Sequence, residues 1–463
     1  MLKKFHVLLF FVFAILPVFL IAEGKEAESN ARVKYIFLLI GDGFGPNQRT
    51  VSELALEKKL LMNTAEYIVV TGTNTIDNKT TDSAASGTAI ACGLKTKTLS
   101  VGVDPNGRPV ESLASALKRK GYSVGIISSC GMTDGTPAAF FAHQFPRYKY
   151  REIADDMVAS DFDFFGGFGI FESPDIGNRE ALEVEYREKL RKSGRKILET
   201  PESIEGLSSC EKVYAISVPY TEWAKSPSFL SGIFAEKRLT LTDFLKKTVS
   251  LFESNPKGFF IMLECGRLDH AGHNHDAGMT IRETRSFDNA IAAALAFQAK
   301  HPAETLIVFT ADHETGGLQI EDQAKLKENV QLLWKQTKPL EDAGEEIQPM
   351  FKQTNCSDEK IAGCILDVIG IDFTDAEKQE ILTLVRQSRT PVKGKPRLNA
   401  FQILVKAAAM RDMRLGLRYT SKGHTNAKIL TSGFGPGARL FNVPNLQNSD
   451  IRGIIERIMA GER

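Results

Sequence analysis

The sequence carries almost no net charge. Its 463 residues include 58 lysines and arginines and 57 aspartates and glutamates, which gives a formal net charge of +1 at pH 7. A protein that attracts nucleic acid or an anionic membrane surface through its overall field needs a clear excess of basic residues. We therefore expect no nucleic-acid partner. The hydrophobic content of 43% is typical of a globular protein.

Cysteines are few, and none has the spacing of a thiolate zinc site. No two of them form a CxxC pair, which excludes the common structural zinc patterns. In an oxidising compartment cysteines form disulfides, and we expect Cys356 and Cys364 to be the pair that bridges. The six cysteines are Cys92, Cys130, Cys210, Cys265, Cys356 and Cys364.

Only one long apolar run occurs, and it lies at the N-terminus. Lys3 and Lys4 precede sixteen apolar or small residues, 7–22, and a polar stretch follows. This order is that of a secretory signal peptide, and the run is short for a membrane span and contains Pro17. We expect residues 1–22 to be a signal peptide, the protein to be periplasmic or secreted, and no stable membrane anchor to remain. A retained anchor is the alternative.

Short apolar runs alternate with helical patterns along the rest of the chain. The runs are continuous rather than alternating, as in strands that are buried on both faces of a parallel sheet. Helical patterns lie between them, for example at 109–121 and 287–300, so we expect an α/β fold: a three-layer α/β/α sandwich around a large, mostly parallel central sheet. The predicted strands are YIFLLIG (35–41), YIVVTG (67–72), SVGIISS (123–129), GFFIML (258–263) and TLIVFTA (305–311).

Acidic residues follow several of these strands. Asp42, Glu264 and Asp312 each come directly after an apolar run, and Asp134 and Thr136 follow another after a short turn. Ligands of open α/β sheets bind beyond the carboxyl ends of the strands. One aspartate there is ordinary loop chemistry, but several together predict a functional site at this edge.

Histidine is scarce, yet it concentrates near the same places. Of the eight histidines, several fall between residues 270 and 313, and another is His424. Asp269 and His273 are four residues apart, so one helical turn presents both to one ion. Imidazole with carboxylate and no thiolate is typical of a catalytic zinc site. The residues that we expect to bind zinc are His273, His313, His424, Asp42, Asp269 and Asp312.

A third group of candidates offers oxygen atoms alone. Asp42, Thr136 and Glu264 carry two carboxylates and a hydroxyl. Magnesium prefers such hard oxygen ligands and retains several waters. The ligand types therefore separate into zinc sets and a magnesium set.

The stretch TTDSAASGTAIACG, residues 80–93, places Asp82 and Ser83 before a run of very small side chains. One interpretation is a tightly packed helix behind an aspartate or serine N-cap. The other is a nucleophilic Ser83 at a helix N-terminus, where backbone N–H groups favour an anion and small neighbours leave it room.

Six stretches in consistent order resemble the signatures of the alkaline phosphatases, which are metal-dependent phosphomonoesterases. They are IGDGFG, TDSAASGTA, DGTPAAFFAHQFPR, LECGRLDHAGH, TADHETGG and KGHT. The likeness runs from about residue 34 to the C-terminus. It implies a catalytic domain over 34–463 with a helical and irregular insertion at about 321–415, and we expect a homodimer.

The resemblance also implies a role for each matched residue. The reaction would be hydrolysis of phosphate monoesters through a phosphoserine intermediate, with two Zn²⁺ and one Mg²⁺. Ser83 would be the nucleophile, Arg147 the phosphate clamp and Asp82 the residue that orients Arg147; Asp269, His273 and His424 would bind the first zinc; Asp42, Asp312 and His313 the second; Asp42, Thr136 and Glu264 magnesium; and Asp134 and His270 would stand beside these ligands.

Two other functions compete with this interpretation. The first is a phosphodiesterase, sulfatase or phosphonate hydrolase of the same superfamily; Ser83, Arg147 and a full third metal set favour the monoesterase. The second is an exported zinc- or phosphate-binding protein without turnover. The presence of every proposed catalytic residue argues against this function.

Residues 161–172 are rich in aromatics and glycine. We expect a buried turn there, with a substrate-facing loop as the alternative.

Overall fold

A computed structural model describes residues 32–171, 177–207, 212–216, 239–390 and 397–463. The predicted signal peptide and Cys210 lie outside these ranges. The strands are β1 (Tyr35–Gly41), β2 (Ile68–Thr71), β3 (Ser123–Ser128), β4 (Phe164–Gly167), β5 (Lys196–Leu198), β6 (Val213–Ile216), β7 (Phe259–Cys265), β8 (Thr305–Ala311), β9 (Glu314–Thr315), β10 (Leu318–Ile320), β11 (Leu417–Tyr419), β12 (His424–Thr425) and β13 (Ile429–Phe434).

The helices alternate with these strands, as the sequence pattern predicts. They are α1 (Pro46–Leu56), α2 (Ser83–Cys92), α3 (Leu113–Arg119), α4 (Gly135–Ala138), α5 (Tyr150–Ala159), α6 (Arg179–Lys192), α7 (Pro201–Glu205), α8 (Leu241–Phe252), α9 (Arg267–His273), α10 (Ala277–Lys300), α11 (Gln323–Asn329), α12 (Leu340–Ile347), α13 (Asp358–Ile369), α14 (Asp375–Arg389), α15 (Ala400–Arg414) and α16 (Asp450–Met459). Short 3₁₀ turns occupy Leu61–Thr64, Val330–Lys335, Gln348–Lys352 and Ala438–Phe441.

Nine of the described strands form one sheet in the order β2-β13-β8-β1-β7-β3-β4-β6-β5. Pairing is parallel from β8 through β5, and β13 runs in the opposite direction. In β1, Ile36 and Leu38 pack into the core on one face, and Phe37 and Leu39 pack into the core on the other. Both faces are therefore buried, which explains the continuous apolar runs.

Helices cover both faces of this sheet. Apolar side chains of α2, α3, α5, α6 and α16 fill the core on one side, and those of α8 and α10 fill the core on the other. The predicted three-layer α/β/α class is confirmed. No helix in the described part of the chain is both long and apolar enough to cross a membrane.

The helices α12 to α15 surround a hydrophobic core of their own. The chain leaves toward this layer after β10 and returns through β11, and these two strands pair antiparallel, with Ile320 opposite Leu417. Just beyond them, β9 and β12 pair in the same way. The two ends of the intervening segment, about a hundred residues long, therefore lie side by side. Their pairing brings His424 close to His313.

Two local predictions about the strands were wrong. The run at 67–72 forms β2, but this strand is at the edge of the sheet, pairs antiparallel with β13, and leaves Ile68 and Val70 39% and 51% exposed. Residues 164–167 form the buried strand β4 rather than a turn. A continuous apolar run does not tell an edge strand, a central strand and a buried turn apart, because all three bury at least one face.

The expected disulfide between Cys356 and Cys364 was also wrong, since both cysteines are free. Cys356 precedes α13, which begins at Asp358, and Cys364 lies well inside that helix. A helix rises about 1.5 Å per residue, so the six residues from Asp358 to Cys364 already span roughly 9 Å along the helix axis. A disulfide requires Cα atoms within about 7 Å.

Candidate metal centre

Three neighbouring parallel strands deliver carboxylates to one edge of the sheet. Gly41 at the end of β1 pairs with Ala311 at the end of β8, so Asp42 and Asp312 emerge side by side. Glu264 lies on the other side of β1, near the end of β7. All three side chains are buried. The expectation that strand ends would bring these acids together is confirmed.

Asp42, Asp312 and His313 form the first group. Their ligand atoms all lie within 4.8 Å of one another. The Nε2 atom of His313 is 3.2 Å from Asp312 Oδ2 and 3.6 Å from Asp42 Oδ1. Both backbone amides that contact Asp312 Oδ1, from Gly43 and His313, donate hydrogen bonds to it, which leaves the opposite oxygen facing the imidazole.

Asp269, His273 and His424 form the second group. The single helical turn of α9 carries the first two, as their spacing predicts. The two histidine Nε2 atoms are 3.2 Å apart, and they lie 3.3 Å and 3.5 Å from oxygens of Asp269. Two ligands of a tetrahedral zinc ion with bonds of about 2.0–2.1 Å are about 3.3–3.4 Å apart. The group therefore has the spacing of three zinc ligands.

The Nδ1 atoms of all three histidines, His273, His313 and His424, contact a hydrogen-bond partner. His273 Nδ1 is 2.6 Å from the carbonyl of Lys422, and His424 Nδ1 is 3.0 Å from the carbonyl of Thr81. A carbonyl only accepts, so these Nδ1 atoms carry the hydrogen and the Nε2 atoms keep a free electron pair. Zinc-binding histidines are oriented in this way. His313 Nδ1 contacts the hydroxyl of Thr315 at 3.2 Å.

The three residues of the oxygen group, Asp42, Thr136 and Glu264, are all buried. Thr136 Oγ1 lies 3.4 Å from Asp42 Oδ2 and 3.3 Å from Asp312 Oδ2. Ser128 donates a short hydrogen bond to Glu264 Oε2. Glu264 Oε1 and Asp42 Oδ1 are buried without a hydrogen-bond partner among the described residues. Two unpaired carboxylate oxygens in a buried space are the donors that a hard cation requires.

Burial and neighbouring charges shift the pKa values of the acidic residues in the centre. Burial and the Asp312 carboxylate raise the pKa of Asp42 well above its usual value. Burial and the nearby Asp134 raise the pKa of Glu264 to about 8. Burial alone would also raise the pKa of Asp269, but the imidazoles of His273, His313 and His424 beside it lower this pKa well below its usual value. Crowded carboxylates of this kind favour a bound cation.

Ser83 is the first residue of α2, and Asp82 is its N-cap, with a side chain that accepts from Ala85 N at 3.2 Å. The helix is therefore capped and tightly packed, as the first interpretation predicts, and the serine faces the centre. The nucleophilic role of Ser83 stays a prediction. Ser83 Oγ lies 3.2 Å from His313 Nε2.

The small residues of α2 allow a close approach to α4. A Cβ atom at Gly87 would lie 3.0 Å from Thr136 Cα, and one at Gly135 would lie 2.6 Å from the backbone nitrogen of Ala84. Larger side chains would separate the serine from the strand ends. The composition of residues 84–89 thus has a structural cause.

Arg147 reaches the same space from the loop after α4. It donates to Asp82 at 3.3 Å and makes a short ion pair with Asp134. Its side chain is 17% exposed. Two carboxylates therefore fix the guanidinium, which carries donors in a planar fork that suits a phosphate group.

Sequence reasoning missed four residues of the centre: Thr315, Ser128, Cys130 and Arg267. Cys130 and His270 lie with Asp134 in a third cluster whose ligand atoms are within 4.8 Å. Arg267 Nη1 donates to His270 Nδ1 at 3.2 Å, so the hydrogen of the neutral ring is on Nε2, which faces Cys130 Sγ at 3.9 Å. That hydrogen and the guanidinium charge both oppose a cation there. Thr315 and Arg267 lie within the stretches TADHETGG and LECGRLDHAGH, and this position was the available signal for them.

Comparison with known proteins shows the family of the chain. A family model described as alkaline phosphatase matches residues 33–163 and 233–443. The repressible alkaline phosphatase of Saccharomyces cerevisiae is 29% identical over 333 residues, which cover 63% of this chain and 56% of the yeast protein. Alkaline phosphatase 4 of Bacillus subtilis is 26% identical over 467 residues, 94% of this chain and 91% of that protein.

Comparison with solved structures shows a similar fold. The crystal structure of a cold-active alkaline phosphatase from Shewanella sp. has a TM-score of 0.75 and 24% identity, and the likeness covers 92% of this chain and 99% of that one. The chain spans little more than half of the yeast relative but nearly all of the Bacillus and Shewanella proteins. The predicted family and enzyme class are confirmed at the level of the family.

Proposed function

Because the chain belongs to the alkaline phosphatase family, we propose that it hydrolyses phosphate monoesters to an alcohol and inorganic phosphate through a phosphoserine on Ser83. The catalytic domain of this proposal is residues 34–463, with the helical insertion at about 321–415. Small phosphomonoesters are the proposed substrates. The observation that carries the proposal is the contact of the Ser83 hydroxyl with His313 Nε2, whose ligand atoms cluster with those of Asp312 and Asp42.

The donor sets fit two zinc ions and one magnesium ion. We assign zinc to Asp269, His273 and His424, and a second zinc to Asp42, Asp312 and His313. The imidazole tautomers and the separations of 3.2–3.6 Å support both assignments. Magnesium is assigned to Asp42, Thr136 and Glu264, which is supported by the unpaired Oε1 of Glu264 and by the contact of Thr136 with Asp42 Oδ2. Asp134 and His270 would adjust the surroundings of this third ion.

The chain's own residues account for substrate placement and transfer. Arg147 would bind two phosphoryl oxygens with its guanidinium, held by Asp82 and Asp134. The Ser83 oxygen would attack phosphorus as the bond to the ester oxygen breaks, and the N-terminus of α2 would stabilise the resulting phosphoserine. Water would then cleave the phosphoserine, releasing phosphate and restoring Ser83. When bound, the zinc ions would lower the pKa of the Ser83 hydroxyl and stabilise the leaving oxygen.

Export and assembly belong to the same proposal. Removal of residues 1–22 would release the protein to a periplasmic or extracellular space. A homodimer is the proposed assembly. N-terminal sequencing of the exported protein and light scattering of the purified protein test these two points.

The experiment that tests the function combines metal analysis with turnover. We expect purified protein to contain about two zinc ions and one magnesium ion per chain, to hydrolyse an aryl phosphate monoester, to lose turnover on chelation and to regain it with zinc and magnesium. Faster hydrolysis of the corresponding diester would identify a phosphodiesterase instead. Bound zinc without turnover on any monoester would identify a binding protein.

A further inference from the structure

Thr315 connects the two histidine groups, although it belongs to neither. It lies on the short strand β9, and its side chain is fully buried. Its Oγ1 atom contacts Asp269 Oδ1 in one group and His313 Nδ1, at 3.2 Å, in the other. In addition, its backbone pairs with His424 across the ribbon formed by β9 and β12. One residue thus contacts members of both groups.

The directions of these hydrogen bonds follow from the chemistry of the partners. A carboxylate only accepts, so the Thr315 hydroxyl hydrogen is donated to Asp269. The hydroxyl oxygen then accepts from His313 Nδ1–H. This places the hydrogen of His313 on Nδ1 and leaves the electron pair of Nε2 directed at Ser83 and the carboxylates. Thr315 therefore does for His313 what backbone carbonyls do for His273 and His424.

The surroundings hold the Thr315 side chain in one position. A Cβ atom at Gly43 would lie 2.8 Å from Thr315 Oγ1, and one at Gly272 would lie 3.0 Å from Thr315 Cβ. Thr315 N also donates to Gly43 O. Two glycines thus make room for a threonine that packing prevents from rotating, so the hydroxyl is preorganised between its two partners.

We infer that Thr315 is a positioning residue shared by both zinc sets and that its hydroxyl couples their occupancy. This inference rests on the proposed zinc sites. Filling one set fixes Asp269 or His313, and through the Thr315 hydroxyl it fixes the ligand of the other set as well. The second ion then binds to ligands that are already ordered, so its binding costs less conformational entropy.

The test is a zinc titration of metal-free protein against a chelating indicator. Thr315→Val keeps the shape of the side chain and removes the hydroxyl, whereas Thr315→Ser keeps the hydroxyl and removes the methyl group. We expect Thr315→Val to weaken both zinc ions by roughly 10- to 100-fold, as loss of a ligand-orienting partner does, and Thr315→Ser to bind nearly as wild type does. Thr315→Ala is the second hydroxyl-free variant if the valine variant does not fold.

Thr425→Val is the matched control. Thr425 lies on β12 of the same ribbon, and its hydroxyl donates to Glu314 rather than to a proposed ligand. We expect zinc binding of this variant to be unchanged. The inference would be overturned if Thr425→Val lowered zinc affinity as much as Thr315→Val does. It would also be overturned if Thr315→Val bound zinc as wild type does, or if Thr315→Val lowered the affinity for one zinc ion alone. Absence of zinc binding in the wild-type protein would instead overturn the proposed function.

Discussion

The Ser83 hydroxyl oxygen lies 3.2 Å from the Nε2 nitrogen of His313. That separation is close to the distance between two ligands on one tetrahedral zinc ion, about 3.3–3.4 Å for bonds of about 2.0–2.1 Å. The same imidazole nitrogen is 3.2 Å from Asp312 and 3.6 Å from Asp42. A hydroxyl oxygen and two carboxylate oxygens thus lie within 3.6 Å of one imidazole nitrogen, and the proposed second zinc site depends on this arrangement.

Arg147 is expected to control phosphate affinity. Arg147→Ala removes hydrogen bonds between charged groups that are worth about 1.5–3 kcal/mol, or roughly 10- to 150-fold. Inhibition by inorganic phosphate should weaken by this factor. Phosphate inhibition of Arg147→Lys should lie between those of wild type and Arg147→Ala, because lysine keeps the charge but lacks the planar fork. Arg151→Ala, which removes only an exposed ion pair with Glu185, is the control. Unchanged phosphate inhibition in Arg147→Ala would show that this guanidinium does not bind the anion.

Glu264 is expected to determine magnesium binding without affecting zinc. Glu264→Gln keeps the shape of the side chain and removes its charge, so magnesium affinity should fall by at least about tenfold. Elemental analysis after dialysis should show two zinc ions and little magnesium. Glu183→Gln changes another buried glutamate, which accepts from the backbone of Ile170 and Phe171, and should retain all three ions. Loss of zinc together with magnesium in Glu264→Gln would refute a separate third set.

His275 is expected to hold the loop that carries His424. Its ring stacks on Tyr419 at 4.6 Å, and its Nε2–H donates to the Ser421 carbonyl at 2.7 Å. His275→Ala should lower the zinc affinity of the Asp269 set by about tenfold. His275→Phe, which keeps the stacking on Tyr419, should lower this affinity less. Zinc competition measures both variants.

The control for His275 lies at the opposite end of the sheet. His301 precedes β8 and pairs with Glu253, so His301→Ala should leave zinc affinity unchanged. If His275→Ala binds both zinc ions as wild type does, the loop is positioned without this histidine.

Gly135 is expected to set the distance between the nucleophile and the phosphate clamp. A Cβ atom there would lie 2.6 Å from Ala84 N and 3.0 Å from Arg147 Cζ. Gly135→Ala should therefore move α2 and reduce kcat by up to about 100-fold, as misplacement by about 1 Å does. Gly363→Ala, in α13 with nothing within 4 Å, should keep full turnover and gain about 1 kcal/mol of stability. Equal kcat for the two variants would contradict the close approach.

The sequence predicted those parts of the centre that depend on the strand ends. The bounds of β1 and β8 agree with the apolar runs at 35–41 and 305–311, and a parallel sheet brings the residues after such strands to one edge. The class of the fold followed from the same alternation. The positions of Asp42, Asp312 and His313 required no further information.

Contacts between distant segments could not be predicted in this way. Thr315 resembles any strand threonine until β9 pairs with β12 across the helical insertion. Cys130 reaches His270 only because β3 and β7 are neighbours in the sheet. The edge position of β2 depends on β13, which lies more than 350 residues later. Local periodicity carries no signal for such pairings.

The most direct test of the central claim is to trap the phosphoryl group on the chain. We expect acid quenching during steady-state hydrolysis of a monoester, followed by peptide mass spectrometry, to find phosphate on Ser83. Ser83→Ala should retain its metal ions and lose turnover by at least about a thousandfold. Phosphate on no residue of the 80–93 peptide, together with undiminished turnover in Ser83→Ala, would contradict a nucleophilic serine at this centre.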